Sequence, residues 1–376
     1  MLFVNKLRSF YIKHMINLMT LVFNALLRAT VEPGKEELAP TPPFRALQYF
    51  VDNVAIRDKA TKKLHEIFGS FYMAPVKSVI KDFDLKDYSM QEFEELNPFI
   101  DIPNLPNVRD IGGYPIVDSF SNFGMARVRK GLIFRGSDST QITQSGCQKF
   151  REQGISTQFD LRSQQQIDRA GTIREIPGVT RYWTPIFGEE EYTVEKAGLR
   201  YQQYAGDGTE GIVQAFTEIL THGTKAFKQI MTHIACLSTC PENEAQGIYI
   251  SCTTGNNRTG PFIAMLLSFL KVPGSIVCAE YALSEQGLAP TRAKTVARLR
   301  SNSKFAASFD ENELDYRAAR MSGAREESMI AFLKAAQEKW NGADGYFRDV
   351  LGLDEQTLDR VREVMTTYEK CITTKV

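Results

Sequence analysis

The sequence predicts an α/β protein with a mainly parallel central sheet flanked by helices and with helical extensions at both ends. Three observations carry this expectation. Between Pro98 and Gly274, short β-rich runs alternate with segments of helical periodicity. Residues 44 to 98 and the tail from Ser275 to Val376 read as helical. One apolar strand pattern runs through a short glycine-containing loop directly into an apolar helix pattern.

The elements follow in chain order. Residues 1 to 43 form a separate segment. Met1 to Thr30 contain no Asp or Glu, and Lys6, Arg8, Lys13 and Arg28 flank the apolar run Met15 to Leu27. That run is too short to span a bilayer comfortably. It fits a helix packed on the protein body and leaves open a signal peptide, a presequence or a membrane-surface helix. Val31 to Pro43, rich in Pro and charge, reads as a linker. Ala46, Leu47, Phe50, Val51 and Val54, then Leu64, Ile67 and Phe68, have helical spacing, so 44 to 98 is expected as a helical extension. From residue 99 to 376 a single domain is expected. Its strands are Leu132 to Phe134, Thr157 to Leu161, Thr180 to Ile186 and Gly247 to Ser251. Its helices are Thr143 to Glu152, Gly211 to Thr232 and Thr259 to Leu270, followed by the helical tail with a break at Asn341 to Gly345.

Composition narrows the function. With 376 residues, 43% of them hydrophobic and 24% charged, the chain is neither disordered nor collagen-like nor a coiled coil. Lys+Arg and Asp+Glu are equal at 45 each, so there is no global basic field to draw nucleic acid, and no nucleic-acid partner is expected. Six scattered cysteines in a chain this long do not make a disulfide framework and read as reduced thiols in a cytoplasmic protein. His233, Cys236 and Cys240 mimic metal-ligand spacing, but no second ligand pair follows, and no metal or other cofactor is expected. Neither a Walker nor a dinucleotide glycine pattern occurs.

The chemistry concentrates in Cys252-Thr253-Thr254-Gly255-Asn256-Asn257-Arg258-Thr259-Gly260. A Cys with Arg six positions later would arise by chance roughly 0.4 times in a chain of this composition. Requiring Gly at the third position and Ser or Thr after the Arg lowers that to roughly 0.003. The physical reading is an anion cradle. A strand ends at Cys252, the loop turns backbone N–H groups inward, and a helix adds its positive N-terminal end. Thr253, Thr254, Gly255, Asn256 and Asn257 would surround a phosphate. Gly255 would supply a backbone conformation closed to other residues, and Pro261 sits in the first helical turn where its missing N–H costs nothing. The same field would favour the Cys252 thiolate as nucleophile. Arg258 would hold two phosphate oxygens into the transition state, and Thr259 would hydrogen-bond the sulfur.

These residues, with Asn107-Val-Arg109-Asp110-Ile-Gly112-Gly113 upstream, then Arg135-Gly-Ser137 and Asp160-Leu-Arg162-Ser163, resemble the tyrosine/serine protein phosphatase family. Its members are atypical cysteine-based phosphatases, typified by mycobacterial tyrosine phosphatase B and its fungal relatives. The likeness runs from about Asn104 to Leu288 and into the tail at Asp344-Gly-Tyr346, about two thirds of the chain. It implies a cysteine-phosphatase-like fold, tyrosine or dual specificity, no metal, and attack by Cys252 on a phosphate monoester through a phosphocysteine. The upstream Asn107, Asp110 and Gly112-Gly113 read as a turn tied beside the site, and Arg162 as a donor to loop carbonyls.

Two departures stand out. The family loop reads His-Cys-x-x-Gly-Lys-Asp-Arg, whereas Ser251 precedes Cys252 here and Asn256-Asn257 replace the Lys-Asp pair. The lost lysine weakens the case for polyphosphoinositides. The lost aspartate removes the expected proton donor, since an amide cannot transfer a proton at neutral pH. Asp207, in the Gly-rich segment Ala205 to Thr209, is the candidate replacement. Gln166 stands where the family often has Glu. The expected substrate is a phosphorylated protein, phosphotyrosine-like, or a small-molecule phosphate ester. Two other functions remain open: a phosphate-binding pseudophosphatase, or an enzyme of specialised metabolism acting on a phosphate or diphosphate ester.

Overall fold

The computed structural model describes residues 97 to 121, 124 to 239 and 245 to 368, all within the unit Leu85–Val376. The expectations for residues 1 to 43 and for a helix over 44 to 98 lie outside the described residues, except that Asn97 and Pro98 are not helical.

Eight strands and their helices follow in order. Strands β1 (Arg109–Asp110), β2 (Pro115–Ser121), β3 (Gly124–Val128) and β4 (Ile133–Gly136) lead into α1 (Gln144–Glu152), β5 (Ile155–Asp160), α2 (Gln164–Ala170) and β6 (Thr180–Trp183). Next come α3 (Val194–Ala205), α4 (Glu210–His222), α5 (Thr224–Ala235), β7 (Gly247–Ser251) and α6 (Thr259–Phe269). The tail holds α7 (Gly274–Ala282), α8 (Ser284–Arg300), α9 (Ser303–Ala306), α10 (Leu314–Ser322), α11 (Glu326–Trp340), α12 (Gly342–Gly345), a π-turn over Tyr346–Val350, α13 (Glu355–Met365) and β8 (Thr366–Tyr368).

The central sheet has the order β1-β4-β7-β5-β6, parallel throughout except for β1, which runs antiparallel to β4. This is the α/β architecture with a mainly parallel sheet that the alternating pattern predicts. Strand β7 lies in the middle, and all five of its residues are buried, so the loop that follows it emerges at the centre of the sheet's C-terminal edge. Helix α6 is buried on nearly every side, which explains why it reads as continuously apolar.

Local chemistry sets several boundaries. Thr143 caps α1 by accepting the Gly146 N–H, and Ser163 with Gln166 forms a capping box on α2. The stretch Gly211 to Thr232, expected as one helix, is two, because the chain breaks at Gly223. A Cβ there would meet the Phe227 ring, the Ile219 carbonyl and Ile186, so glycine allows this close approach. Strand β6 stops at Trp183, short of the expected Ile186. The break at Asn341 is a left-handed residue with φ 56° that ends α11. The helical tail does not stay helical to its end. Strand β8 pairs with β3, completing a separate antiparallel sheet β2-β3-β8. Among the described residues no helix is long and apolar enough to cross a membrane.

Candidate active site

Cys252 follows β7 directly and is 2% exposed. The loop behind it is shaped by where its carbonyls go. The Thr253 carbonyl accepts from the Asp138 backbone N–H at 3.5 Å, and the Thr254 carbonyl from Asn107 Nδ2 at 2.9 Å. The Gly255 carbonyl accepts from Arg135 Nη2 at 2.6 Å, and the Asn256 carbonyl from the Gly260 N–H at 2.7 Å. In a trans peptide the N–H points opposite to the C=O. Three carbonyls held by other elements, and a fourth held by the first turn of α6, therefore turn the N–H groups of residues 254 to 257 toward the inside of the loop. Gly255 has φ +67°, and a Cβ on it would overlap the Gly136 carbonyl, so both backbone angle and space demand glycine.

The sulfur's environment is electrostatically divided. Burial by itself pushes the Cys252 thiol up. The Arg258 charge, the Thr259 hydroxyl and the backbone N–H groups of Thr259 and Arg258 outweigh it and hold the thiol below its ordinary value of 9.0. Arg258 is aimed by its neighbours: its Nη1 donates to Gln166 Oε1 at 2.5 Å and to the Leu161 carbonyl at 3.5 Å. A thiolate beside a fixed guanidinium and a ring of amides can bind an oxyanion and attack an electrophilic centre held there.

A buried ionic cluster braces this loop from behind. Glu280 on α7 accepts from Arg109 Nε and from Arg135 Nη1, both at 2.7 Å, with all three side chains at most 1% exposed. Arg135 thus ties the carboxylate to the Gly255 carbonyl. Burial lowers its guanidinium to about 10 despite Glu280, which leaves it charged at neutral pH. Arg109 Nη1 donates to Asn107 Oδ1 at 2.5 Å, and Asn107 and Arg109 both donate to Ser284 Oγ. Asn107 therefore ties the loop as the turn-rich segment predicts. Asp110 instead closes its own turn, accepting from the Gly112 and Gly131 N–H groups at 2.8 and 2.7 Å.

A second cluster corrects an expectation. Arg162 does not support the loop carbonyls. It donates to Asp160, to Thr140 Oγ1 at 3.0 Å and pairs with Asp138 at 2.9 Å. Burial alone would raise the Asp160 carboxyl, but Arg162 and Arg181 hold it below the ordinary carboxylate range.

The loop opens into a cavity of about 690 Å³. Cys252, Thr253, Thr254, Asn256, Asn257 and Arg258 line it. Asn256 also reaches outward, donating Nδ2 to the Gly323 carbonyl at 2.8 Å, which fixes the loop to the α10–α11 connection. Asp207 does not line this cavity. Its carboxylate accepts from Tyr316 Oη at 2.9 Å and pairs with Arg317 at 3.0 Å on α10, and these partners hold it below the usual carboxylate range. An acid pinned in its ionised form away from the loop is unsuited to protonate a leaving group there. The carboxylate that does line the cavity is Asp138, which the sequence reading passed over. Its one local signal was position: it lies two residues after Gly136, at the end of β4, the neighbour of β7. Glu280 was missed too, although it is the one acid on the otherwise apolar helix α7. Of the metal-like trio, Cys240 lies outside the described residues, and His233 packs on Phe159 and Tyr182.

Comparison with known proteins gives the family. A family model described as the tyrosine phosphatase family matches residues 100–367. The chain is 22% identical over 264 residues to the triple specificity protein phosphatase PtpB of Mycobacterium tuberculosis, covering 63% of this chain and 92% of that protein. It is 21% identical over 229 residues to a tyrosine-protein phosphatase of Nostoc commune, covering 61% of this chain and 72% of that one. A matched region that starts beside Asn107, includes the Cys252 loop and ends in β8 spans the whole fold described above, and the chain belongs to the tyrosine phosphatase family.

Proposed function

We propose that the protein hydrolyses phosphate monoesters, phosphotyrosine-like or small-molecule, with Cys252 as nucleophile and a phosphocysteine intermediate. One observation carries the reading: a buried thiol is held below its ordinary value by Arg258, Thr259 and backbone N–H groups at the end of the central strand. The relatives' descriptions as protein phosphatases support a phosphorylated protein among the substrates. A working thiolate needs a reducing compartment, which supports action in the cytoplasm.

In the first step the Cys252 thiolate attacks phosphorus, the bond to the ester oxygen breaks, and the leaving oxygen departs with the electron pair as an aryloxide that takes its proton from water. Arg258 and the loop N–H groups take up charge on the three non-bridging oxygens. In the second step water attacks phosphorus, its proton passes to the Asp138 carboxylate, and the S–P bond breaks to return the thiolate and inorganic phosphate. The Thr259 hydroxyl stabilises the departing sulfur. Asp138 lines the cavity paired with Arg162, and Asn257, an amide, supplies no proton. Aryl esters, whose leaving groups need little protonation, suit this site best.

The test is phosphate release from a panel of aryl phosphates. Wild type should turn over, and Cys252→Ser and Arg258→Ala should each lose activity by a factor of about a thousand or more. The two amides at 256 and 257 favour one second reading, binding without turnover. An inactive wild type that still binds aryl phosphates would select it.

A further inference from the structure

We propose that the cavity accepts an elongated phosphate ester with two anionic ends, the ester phosphate on the Cys252 loop and a second phosphate or carboxylate held by Arg298 and Lys304. The first end rests on the phosphatase reading; the second does not.

The charge balance of the cavity is the starting point. The whole chain has 45 basic and 45 acidic residues, yet the cavity is lined by six cationic side chains and one acid, Asp138. Three of those charges are already used. Asp138 pairs with Arg162, Arg200 with Glu191 at 3.1 Å, and Arg292 with Glu285. Arg258 belongs to the loop. Arg169, Arg298 and Lys304 remain, and none of them forms an ion pair among the described residues. Glu195, at the start of α3, feels the Lys304 charge without pairing to it.

The position of the two α8-side cations sets the length of the ligand. Gly287 abuts Asn107, whose amide holds the Thr254 carbonyl, so Leu288 marks the loop end of α8. Leu288, Thr291, Thr295 and Arg298 line the cavity at the spacing of one helix face. From Leu288 to Arg298 the helix rises about 15 Å. That exceeds the screening length of about 8 Å at physiological salt. Arg298 therefore does little for a phosphate on the loop itself, and its charge acts on a second group further along. Lys304 follows after one turn, half-buried and lining the same cavity. The faces of Phe187, Tyr204 and Leu288 suit an aryl or alkyl spacer between the two ends.

The experiment uses full-length protein and aryl phosphates that carry a terminal carboxylate on spacers of increasing length, each against its uncharged amide counterpart. The acid-to-amide ratio of kcat/KM should peak at about tenfold for the spacer that spans the helix rise, and Arg298→Gln/Lys304→Gln should bring it near one. Lys294→Gln, also exposed on α8 but outside the cavity lining, should retain the peak. A second arm compares phosphotyrosine peptides bearing Glu or Gln at matched distances, which tells a peptide carboxylate from a small-molecule one. A ratio near one at every length in both arms, or a peak that survives in the double variant, overturns the proposal. If wild type releases no phosphate from any ester, the phosphatase reading fails separately. Calorimetric binding of each acid and amide pair to Cys252→Ser then decides the second site alone, equal affinities overturning it.

Discussion

Replacing Glu280 by Gln keeps the side chain's shape and removes its charge, which makes it a sharp probe of how the loop is held. In the native cluster one carboxylate receives Arg109 Nε on one oxygen and Arg135 Nη1 on the other, each at 2.7 Å, with every partner buried. An amide keeps one acceptor oxygen and presents an NH₂ to the second guanidinium, so two buried cations lose the carboxylate between them. Breaking a buried pair in this way costs about 3–5 kcal/mol, a large part of the about 5–15 kcal/mol that holds a typical domain. Denaturant titration should show that loss at neutral pH, accompanied by a fall in kcat/KM, because Arg135 also carries the Gly255 carbonyl at 2.6 Å. The pH dependence adds a second check. Burial would raise the Glu280 carboxyl, but Arg109 and Arg135 hold it below its ordinary 4.5. Its stabilisation is therefore complete above that pH and is lost as pH falls toward the folded value, so wild type and variant should converge in acid. A loss below about 1 kcal/mol, or one as large in acid as at neutrality, would refute the reasoning.

Three further outcomes are expected. Arg258→Ala removes the main charge that lowers the Cys252 thiol, so the pH midpoint for its alkylation by iodoacetamide should move upward; an unchanged midpoint would assign the effect to Thr259 and the amides instead. Gly255→Ala forces a Cβ into the Gly136 carbonyl at φ +67°, with about 1–2 kcal/mol of backbone strain before any clash, and phosphate release should fall more than a hundredfold while the circular dichroism spectrum stays native. Asp138→Asn should slow hydrolysis of the phosphocysteine, so rapid mixing should show a stoichiometric burst of aryl alcohol followed by a slow phase; Asp207→Asn should show neither change, and a burst from Asp207→Asn alone would reverse the assignment.

The legible and illegible parts of this protein divide by how far apart the interacting residues lie in the chain. Strand β7 is found at its expected limits, and α6 starts at the expected Thr259, because both are written in unbroken apolar runs bounded by the loop. Helices α4 and α5 share one continuous helical pattern in the sequence because Gly223 carries no periodic signal of its own. Strand β8 has no strand signal of its own, because what makes it a strand is an edge of β3 more than two hundred residues earlier.

The site divides in the same way. Cys252, Gly255, Arg258 and Thr259 lie within eight consecutive residues, so their spacing alone placed a sulfur, a left-handed turn, a guanidinium and a hydroxyl around one point. Backbone geometry over so short a span leaves few alternatives. What turns the loop's amides inward is not local: Asn107 and Arg135 reach the Thr254 and Gly255 carbonyls across 147 and 120 residues. That Asp138 and not Asp207 lines the cavity has the same origin. Asp207 lies in a glycine-rich turn whose charge is consumed by α10, whereas Asp138 reaches the cavity because β4 lies beside β7 in the sheet. The chain order contains the reactive group and the fold class. Only the packing of sheet against tail decided which distant charges brace it and which are neutralised.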